Sequence, residues 1–320
     1  MRTITTLIQS QVMHGMRISA LTLGTAQIGA SYGIANTSGQ PNRTESDLLL
    51  GRAIEAGVSC FDTAQLYGDS ERVLGEFFAD KNKPVLITKV KLNPEPGLTD
   101  VAVERMIRDS LESSLRLLRI PTTPALMLHN TDILRTHAKI VKKTMEALKS
   151  EGKIRLAGVS FVADVNDTLP PEWEAALDDV FETIQFPMNV LDQRMIHNGG
   201  LKQMSAAGKV IFVRSVYLQG LLFLPEERMP QQLRRAAPVI GQIRELAREE
   251  RVSLEQLAVS FIRDLPEVNS LVIGAETAAQ LENNAELING PGLDSRTLAK
   301  LLEIPQLPES ILNPVNWPKA

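Results

Sequence analysis

With a single cysteine, Cys60, in 320 residues, the chain can form neither an intramolecular disulfide nor a cysteine-rich metal centre. A lone thiol suits a reducing compartment, and the cytoplasm is the expected location. Charge of one sign is also missing: the formal net charge is -4 and no long run of Lys/Arg or Asp/Glu occurs. That excludes the basic footprint of a nucleic-acid binder and the polybasic segment of a membrane-surface protein. No stretch of 18 apolar residues is long enough to span a bilayer. The first 24 residues break their apolar positions with Gln, Ser, His and Arg, so no secretory h-region is expected. Low-complexity tracts, repeats of 20–50 residues and obvious linkers are absent as well, which leaves one domain over residues 1–320.

What is there is ordinary globular material, 43% hydrophobic and 22% charged, with enough apolar residues for a sizeable core. Eight short β-rich runs alternate with helical patterns: Leu21–Gly24, Ser59–Thr63, Val85–Val90, Ala125–His129, Leu156–Ser160, Val180–Phe186, Val210–Ser215 and Ser270–Ala275. Between them Val103, Ile107, Leu111 and Leu118 repeat at turn-like spacing, as do Ile140, Val141, Thr144 and Leu148. A separate helix is expected from Pro238 to Glu250, and Ser253 with Gln256 reads as a capping box opening the next. An open doubly wound sheet would carry a G-x-G-x-x-G turn after its first strand, and Leu23–Ala30 has none. The predicted fold is therefore α/β, a closed (β/α)8 TIM barrel. Residues 1–20 are expected to form a capping hairpin. The tail with Pro305, Pro308, Pro314 and Pro318 is expected to lie as an irregular arm over one face.

In such a barrel the reactive groups sit at the C-terminal ends of the strands. Asp62, Lys89 and His129 end three successive runs, and Tyr67 follows Asp62 by five positions. Taken singly, Asp62 or Lys89 reads equally well as half of a structural ion pair, and His129 as a packed side chain. Taken together, an Asp–Lys pair beside a tyrosine is a tunable proton donor, because a lysine stabilises phenolate and is expected to lower the phenol pKa. His129 has no second histidine at ligand spacing, so no metal is expected.

Several segments in fixed order carry a resemblance: LGTAQ at Leu23–Gln27, FDTAQLYGDSE at Phe61–Glu71, ITKV at Ile87–Val90, LHN at Leu128–Asn130, GKIRLAGVS at Gly152–Ser160 and IQFPMNVLD at Ile184–Asp192. Over almost the whole chain the sequence resembles the aldo-keto reductases. The resemblance implies an NAD(P)-dependent oxidoreductase, with NADP(H) or NAD(H) as cofactor and a small carbonyl/alcohol compound as substrate. It implies Asp62, Tyr67, Lys89 and His129 as a catalytic tetrad, Tyr67 serving as general acid in reduction and general base in oxidation. It also implies that Ser160 and Gln185 contact the nicotinamide carboxamide and that Gly24 and Thr25 lie close to the cofactor. Ser215 and Gly220 would belong to the loop covering the pyrophosphate, and Gly274, Gln280 and Asn284 to the adenosine end. The alternative readings for Ser160 and Gln185 are a strand-end cap and a satisfied core amide.

Three departures from the family pattern matter. Phe161 stands where many relatives have Asn. Arg214 stands where many place an aromatic ring that stacks on the nicotinamide, so it would either stack there itself or hold a phosphate or an anionic substrate group. The stretch from Gly274 to Asn284 has no cation to meet a 2′-phosphate, and Glu276 and Glu282 would repel one, which leaves NAD open. In the polar segment Ser31–Asp47, Tyr32 and Asn36 are candidate substrate contacts, with Met188, Asn189 and Arg194 on the loop after the sixth strand. A polar lining would suit a sugar or another hydroxylated aldehyde. Two other readings stay open: a nucleotide-binding regulatory or accessory protein with little turnover, and an unrelated barrel enzyme using Lys89 as a Schiff base.

Overall fold

A computed structural model describes residues 6–34, 36, 39–162 and 169–317. Two short strands, β1 (Ser10–Met13) and β2 (Met16–Ser19), pair antiparallel around a turn at His14 and Gly15. Eight parallel strands then follow: β3 (Leu21–Gly24), β4 (Cys60–Asp62), β5 (Val85–Val90), β6 (Thr123–Leu128), β7 (Ile154–Ser160), β8 (Phe181–Pro187), β9 (Val210–Arg214) and β10 (Ser270–Gly274). Each pairs with its sequence neighbour and β10 returns to β3, closing the barrel. The expected runs and the observed strands agree to within two residues at each end.

Alternation along the strands decides what fills the barrel, since successive side chains point to opposite faces. Cys60, Ile87, Ala125, Met127, Leu156, Val210, Phe212 and Val272 form one buried apolar cluster together with Met16 and Ile18 of the hairpin. The hairpin is thus the floor of the barrel, as expected of a cap. Phe61, Leu86, Leu126, Val159, Ile184 and Val213 belong to a second cluster, shared with the helices, which includes Val103, Ile107 and Leu111 of the helix Asp100–Leu118. With the lower barrel packed by apolar side chains, the polar residues of the same inward register are left at the C-terminal rim.

Helix starts follow local chemistry. Asn42 and Glu45 form a reciprocal capping box at the helix Arg43–Glu55. Ser253 accepts from the Gln256 amide, but the Gln256 side chain does not complete the expected box; it donates to Ser260 Oγ and to the Leu287 carbonyl. The proline-rich tail carries the helices Ser295–Leu302 and Glu309–Leu312, and Trp317 anchors it by donating to the Ile311 carbonyl at 2.9 Å. Pro318, and residues 1–5 of the expected hairpin, lie outside the described residues. Among the described residues no helix is long and apolar enough to cross a membrane.

Candidate active site

A cleft of about 730 Å³ opens at the C-terminal rim. Asp62, Tyr67 and His129 line one part of it, and Gly274, Gln280 and Asn284 another, with Gly24, Thr25, Arg214, Ser215 and Gly220 also in its wall. Lys89, Ser160 and Gln185 are buried and do not line it.

Asp62 and Lys89 form an ion pair with almost no solvent exposure. Lys89 Nζ donates to both carboxylate oxygens, at 2.6 and 2.7 Å, and to the Thr63 carbonyl at 3.0 Å. Burial pulls the ammonium pKa down, but the Asp62 charge and bonding to Asp62 and Tyr67 outweigh it, so the group is held above its ordinary value. Gln185 Nε2 donates to Asp62 Oδ1 at 2.9 Å, and Ser160 Oγ donates to Gln185 Oε1 at 3.1 Å. Ser160 thus bonds to Gln185 and Gln185 to Asp62, forming a polar bed beneath the site.

The Tyr67 ring lies over this bed, 5.1 Å from Lys89 Nζ and edge-on to His129 at 5.6 Å between centroids. Lys89 does pull the phenol down as expected, but the net shift runs the other way. Burial raises the Tyr67 pKa by more than Lys89 and Arg214 lower it, so the hydroxyl stays protonated around neutrality. His129 moves the other way: burial, then the charges of Lys89, Arg214 and Lys91, push the imidazole down to about 3. It is neutral across the physiological range. Its Nδ1 is buried without a hydrogen-bond partner among the described residues, which is tolerated better as an acceptor than as a donor and puts the proton on Nε2.

Backbone packing sets where Tyr67 stands. Thr25 Oγ1 donates to the Asp62 carbonyl, Ser70 Oγ donates to Thr25 Oγ1, and Thr63 and Ser70 share a further hydroxyl bond. Gly29 lets the tyrosine loop close on this network: a Cβ there would stand 1.5 Å from the Tyr67 carbonyl oxygen. Gly29→Ala is expected to displace Tyr67, lowering turnover by about 10²-fold and stability by about 1–3 kcal/mol. Steady-state rates and thermal unfolding check this, and an alanine variant with wild-type turnover would remove Gly29 from the positioning of Tyr67.

Arg214 ends β9 with Nη2 donating to the Phe161 carbonyl at 2.8 Å and Nη1 to Ser215 Oγ at 3.2 Å. Phe161 itself is buried against Trp173. The following loop is unusual in backbone: Ser215, Leu218 and Gln219 have φ of 62°, 46° and 52°, and Gly220 has 90°. Non-glycine residues persist in this region only where their surroundings hold them. Asn189 is one such support, its Nδ2 donating to the Ser215 carbonyl at 3.0 Å.

Several sequence expectations move. Met188 and Asn189 are buried, and Arg194 is locked on Asp192 by two bonds of 2.8 Å, so none of the three lines the cleft. Tyr32 and Asn36 do line it, and Gln219 Nε2 donates to the Tyr32 hydroxyl at 3.3 Å; residues 35, 37 and 38 of that segment lie outside the described residues. Glu282 turns away to pair with Arg52 at 2.7 Å, whereas Glu276 lines the cleft beside Gln280, whose Oε1 accepts from the Glu276 amide. Sequence reasoning misses Tyr217, which donates to Asn284 Oδ1 at 3.3 Å, as well as Glu255, Gln27 and Val315 in the lining. Gln27 packs on Gly274, where a Cβ would stand 2.3 Å from Gln27 Oε1. Nothing in local sequence announces these, because they are assembled from distant segments. Among the described residues no group of three or more His, Cys, Asp or Glu is placed to hold a metal ion.

A closed parallel barrel with a carboxylate–lysine pair under a tyrosine at its rim defines the class, and residues 20–304 match the Aldo/keto reductase family. The chain belongs to the aldo/keto reductase family, oxidoreductases that interconvert carbonyl and alcohol groups. It is 28% identical over 261 residues to a 6-dehydroglucose reductase of Novosphingobium aromaticivorans, covering 77% of this chain and 82% of that one. To an L-glyceraldehyde 3-phosphate reductase of Escherichia coli K12 it is 23% identical over 324 residues, covering 90% and 89%. In fold it is similar to an aldo-keto reductase of Bacillus halodurans in its holo form, with a TM-score of 0.74, 19% identity and coverage of 96% and 100%. A glycerol dehydrogenase of Gluconobacter oxydans gives a TM-score of 0.72 at 23% identity, covering 93% and 94%.

Proposed function

We propose that the protein is an NAD(H)-preferring reductase of a small hydroxylated aldehyde or sugar, with Tyr67 as the proton donor. The observation that carries this reading is the buried Asp62–Lys89 pair beneath Tyr67, with neutral His129 against the same ring. The cleft runs from this corner to Gly274, Gln280 and Asn284, with a volume of about 730 Å³, and its close-packed glycines 24 and 274 keep the wall low there. A bound nicotinamide nucleotide would supply the hydride.

The remaining chemistry falls to the chain's own residues. His129 Nε2–H and the Tyr67 hydroxyl are the two donors available to a carbonyl oxygen, and they fix its orientation and support the negative charge that develops on it. The protonated phenol then gives its proton to that oxygen, and Lys89 stabilises the phenolate left behind. Asp62, tied down by Gln185, holds Lys89 in place. In the reverse direction the same phenolate would accept the alcohol proton.

Preference for NAD(H) rests on the other end of the cleft. Among the described residues its lining contains Glu255 and Glu276 and no lysine or arginine apart from Arg214 at the end of β9. A carboxylate accepts a hydrogen bond from a free ribose 2′-hydroxyl and repels a 2′-phosphate. The polar lining by Asn36 and Gln219 suits a hydroxylated substrate, and the names of the Novosphingobium and Escherichia coli relatives point to sugar-like aldehydes.

Fluorescence titration with NADH and NADPH, alongside turnover of aldehydes, sugars and ketones, tests the reading. NADH is expected to bind more tightly. Combining Gln280→Arg with Glu276→Ala should swing the ratio towards NADPH by about 10–100-fold, the scale of one charge-assisted hydrogen bond. Tighter NADPH binding by the wild type would overturn the preference. Stable nucleotide binding without turnover of any carbonyl would favour the accessory-protein reading instead.

A further inference from the structure

Arg214 is a cation set into the wall of the reacting corner, and among the described residues no carboxylate meets it. Both of its hydrogen bonds go to neutral oxygens, the Phe161 carbonyl and Ser215 Oγ, and no ion pair is formed with any described residue. It shares the cleft wall with Tyr67 and His129, and its charge acts on both rings. The other charges around this corner do not cancel it. Asp62 and Lys89 neutralise one another in a closed pair, and Lys91 is exposed to solvent. Glu276 sits with Gln280 in the loop and helix after β10.

A ring that delivers hydride to a carbonyl held by Tyr67 and His129 lies in this corner, within the field of Arg214, whose charge reaches both side chains. That ring is neutral when reduced and carries a full positive charge when oxidised. The phosphates of the nucleotide are the same in both states and drop out of the comparison. We propose that Arg214 makes the site a sensor of nucleotide redox state, favouring the reduced form over the oxidised one. The inference rests on the nicotinamide reading given above.

Two unit charges at about 6 Å, the usual reach of a cation over a ring, would separate the two affinities by roughly threefold in bulk water. At the effective dielectric of a protein surface the factor is roughly a hundredfold. A bias of about tenfold is therefore expected in this half-open cleft. The functional consequence is a bias towards carbonyl reduction. Reduced nucleotide competes on equal terms with about a tenfold excess of the oxidised form, and once hydride has left the ring Arg214 faces a second positive charge, which speeds release of the oxidised product. An aromatic residue at this position would stack on both forms with little discrimination.

The test is calorimetric or fluorescence titration of NADH and NAD+ against wild type, Arg214→Met and Arg214→Lys. Wild type is expected to bind NADH about tenfold more tightly than NAD+. Arg214→Met should bring the ratio close to one, mainly by tightening NAD+, and Arg214→Lys should keep the bias. A wild-type ratio at or below one overturns the proposal without any variant having to fold. Equal weakening of both forms in Arg214→Met also overturns it, and assigns Arg214 to a phosphate. Failure of either nucleotide to bind wild type would instead remove the nicotinamide reading itself.

Discussion

Tyr67→Phe is expected to lower turnover by roughly 10²–10⁴-fold while leaving NADH affinity nearly unchanged. The substitution removes one oxygen and keeps the ring that packs edge-on against His129. What disappears is the donor whose proton neutralises the alkoxide. The pH dependence separates Tyr67 from its neighbour. Because burial and three nearby cations press His129 down to about 3, it contributes no ionisation near 6.5. Because burial holds Tyr67 above its ordinary value, its loss of a proton belongs above about pH 10. The wild-type reduction profile in kcat/KM should therefore stay level between about pH 5 and 9. A limb near pH 6.5 that vanishes in His129→Asn would move the proton donor from Tyr67 to His129. A Tyr67→Phe enzyme with wild-type turnover would end the proposed mechanism altogether.

Much of this arrangement is legible in the order of the amino acids, for a physical reason. Strands buried on both faces of a parallel barrel must be short and apolar, so a polar residue at the end of such a run stands out. Asp62, Lys89, His129, Ser160, Gln185 and Arg214 are all of that kind, and all six occupy the rim end of their strands or the residue just beyond. What sequence does not carry is the satisfaction of each polar group. Asn189 and Arg194 look like ligands in a loop, yet their valences go to the Ser215 carbonyl and to Asp192. Glu282 looks like an adenosine-end acid, yet it pairs with Arg52, 230 positions away. The direction of the Tyr67 shift is hidden for a related reason. A charge can be read from the presence of Lys89, whereas desolvation depends on the walls contributed by other loops. The close approach of Gly29 to Tyr67 is equally silent, because the absence of a side chain announces nothing about its neighbour.

Removing Lys89 should expose how much of the site depends on one buried pair. Among the described residues, Lys89→Met leaves the buried Asp62 carboxylate only Gln185 Nε2 as side-chain donor, and breaking such a pair typically destabilises by about 3–5 kcal/mol. The double variant Asp62→Asn/Lys89→Met removes the stranded charge and should recover most of that loss in urea or thermal unfolding. Neither variant should recover turnover, since neither can stabilise the Tyr67 phenolate. Stability and activity thus part company at this pair, which a purely structural ion pair would not cause. The pH dependence has a definite sign. Lys89 is held above the ordinary lysine value in the folded state, so the stability it adds is fully present below about pH 10.4, the value expected for an unfolded lysine. It is lost only as the pH rises through the folded value. The stability gap between wild type and Lys89→Met should therefore be widest on the alkaline side of neutrality, close above about pH 10, and narrow in acid as the stranded Asp62 of the variant takes up a proton. A gap that does not narrow in acid would mean that the stranded carboxylate is not what destabilises the variant. A double variant no more stable than Lys89→Met would mean that the methionine's packing, and not the stranded carboxylate, is what the fold cannot accommodate.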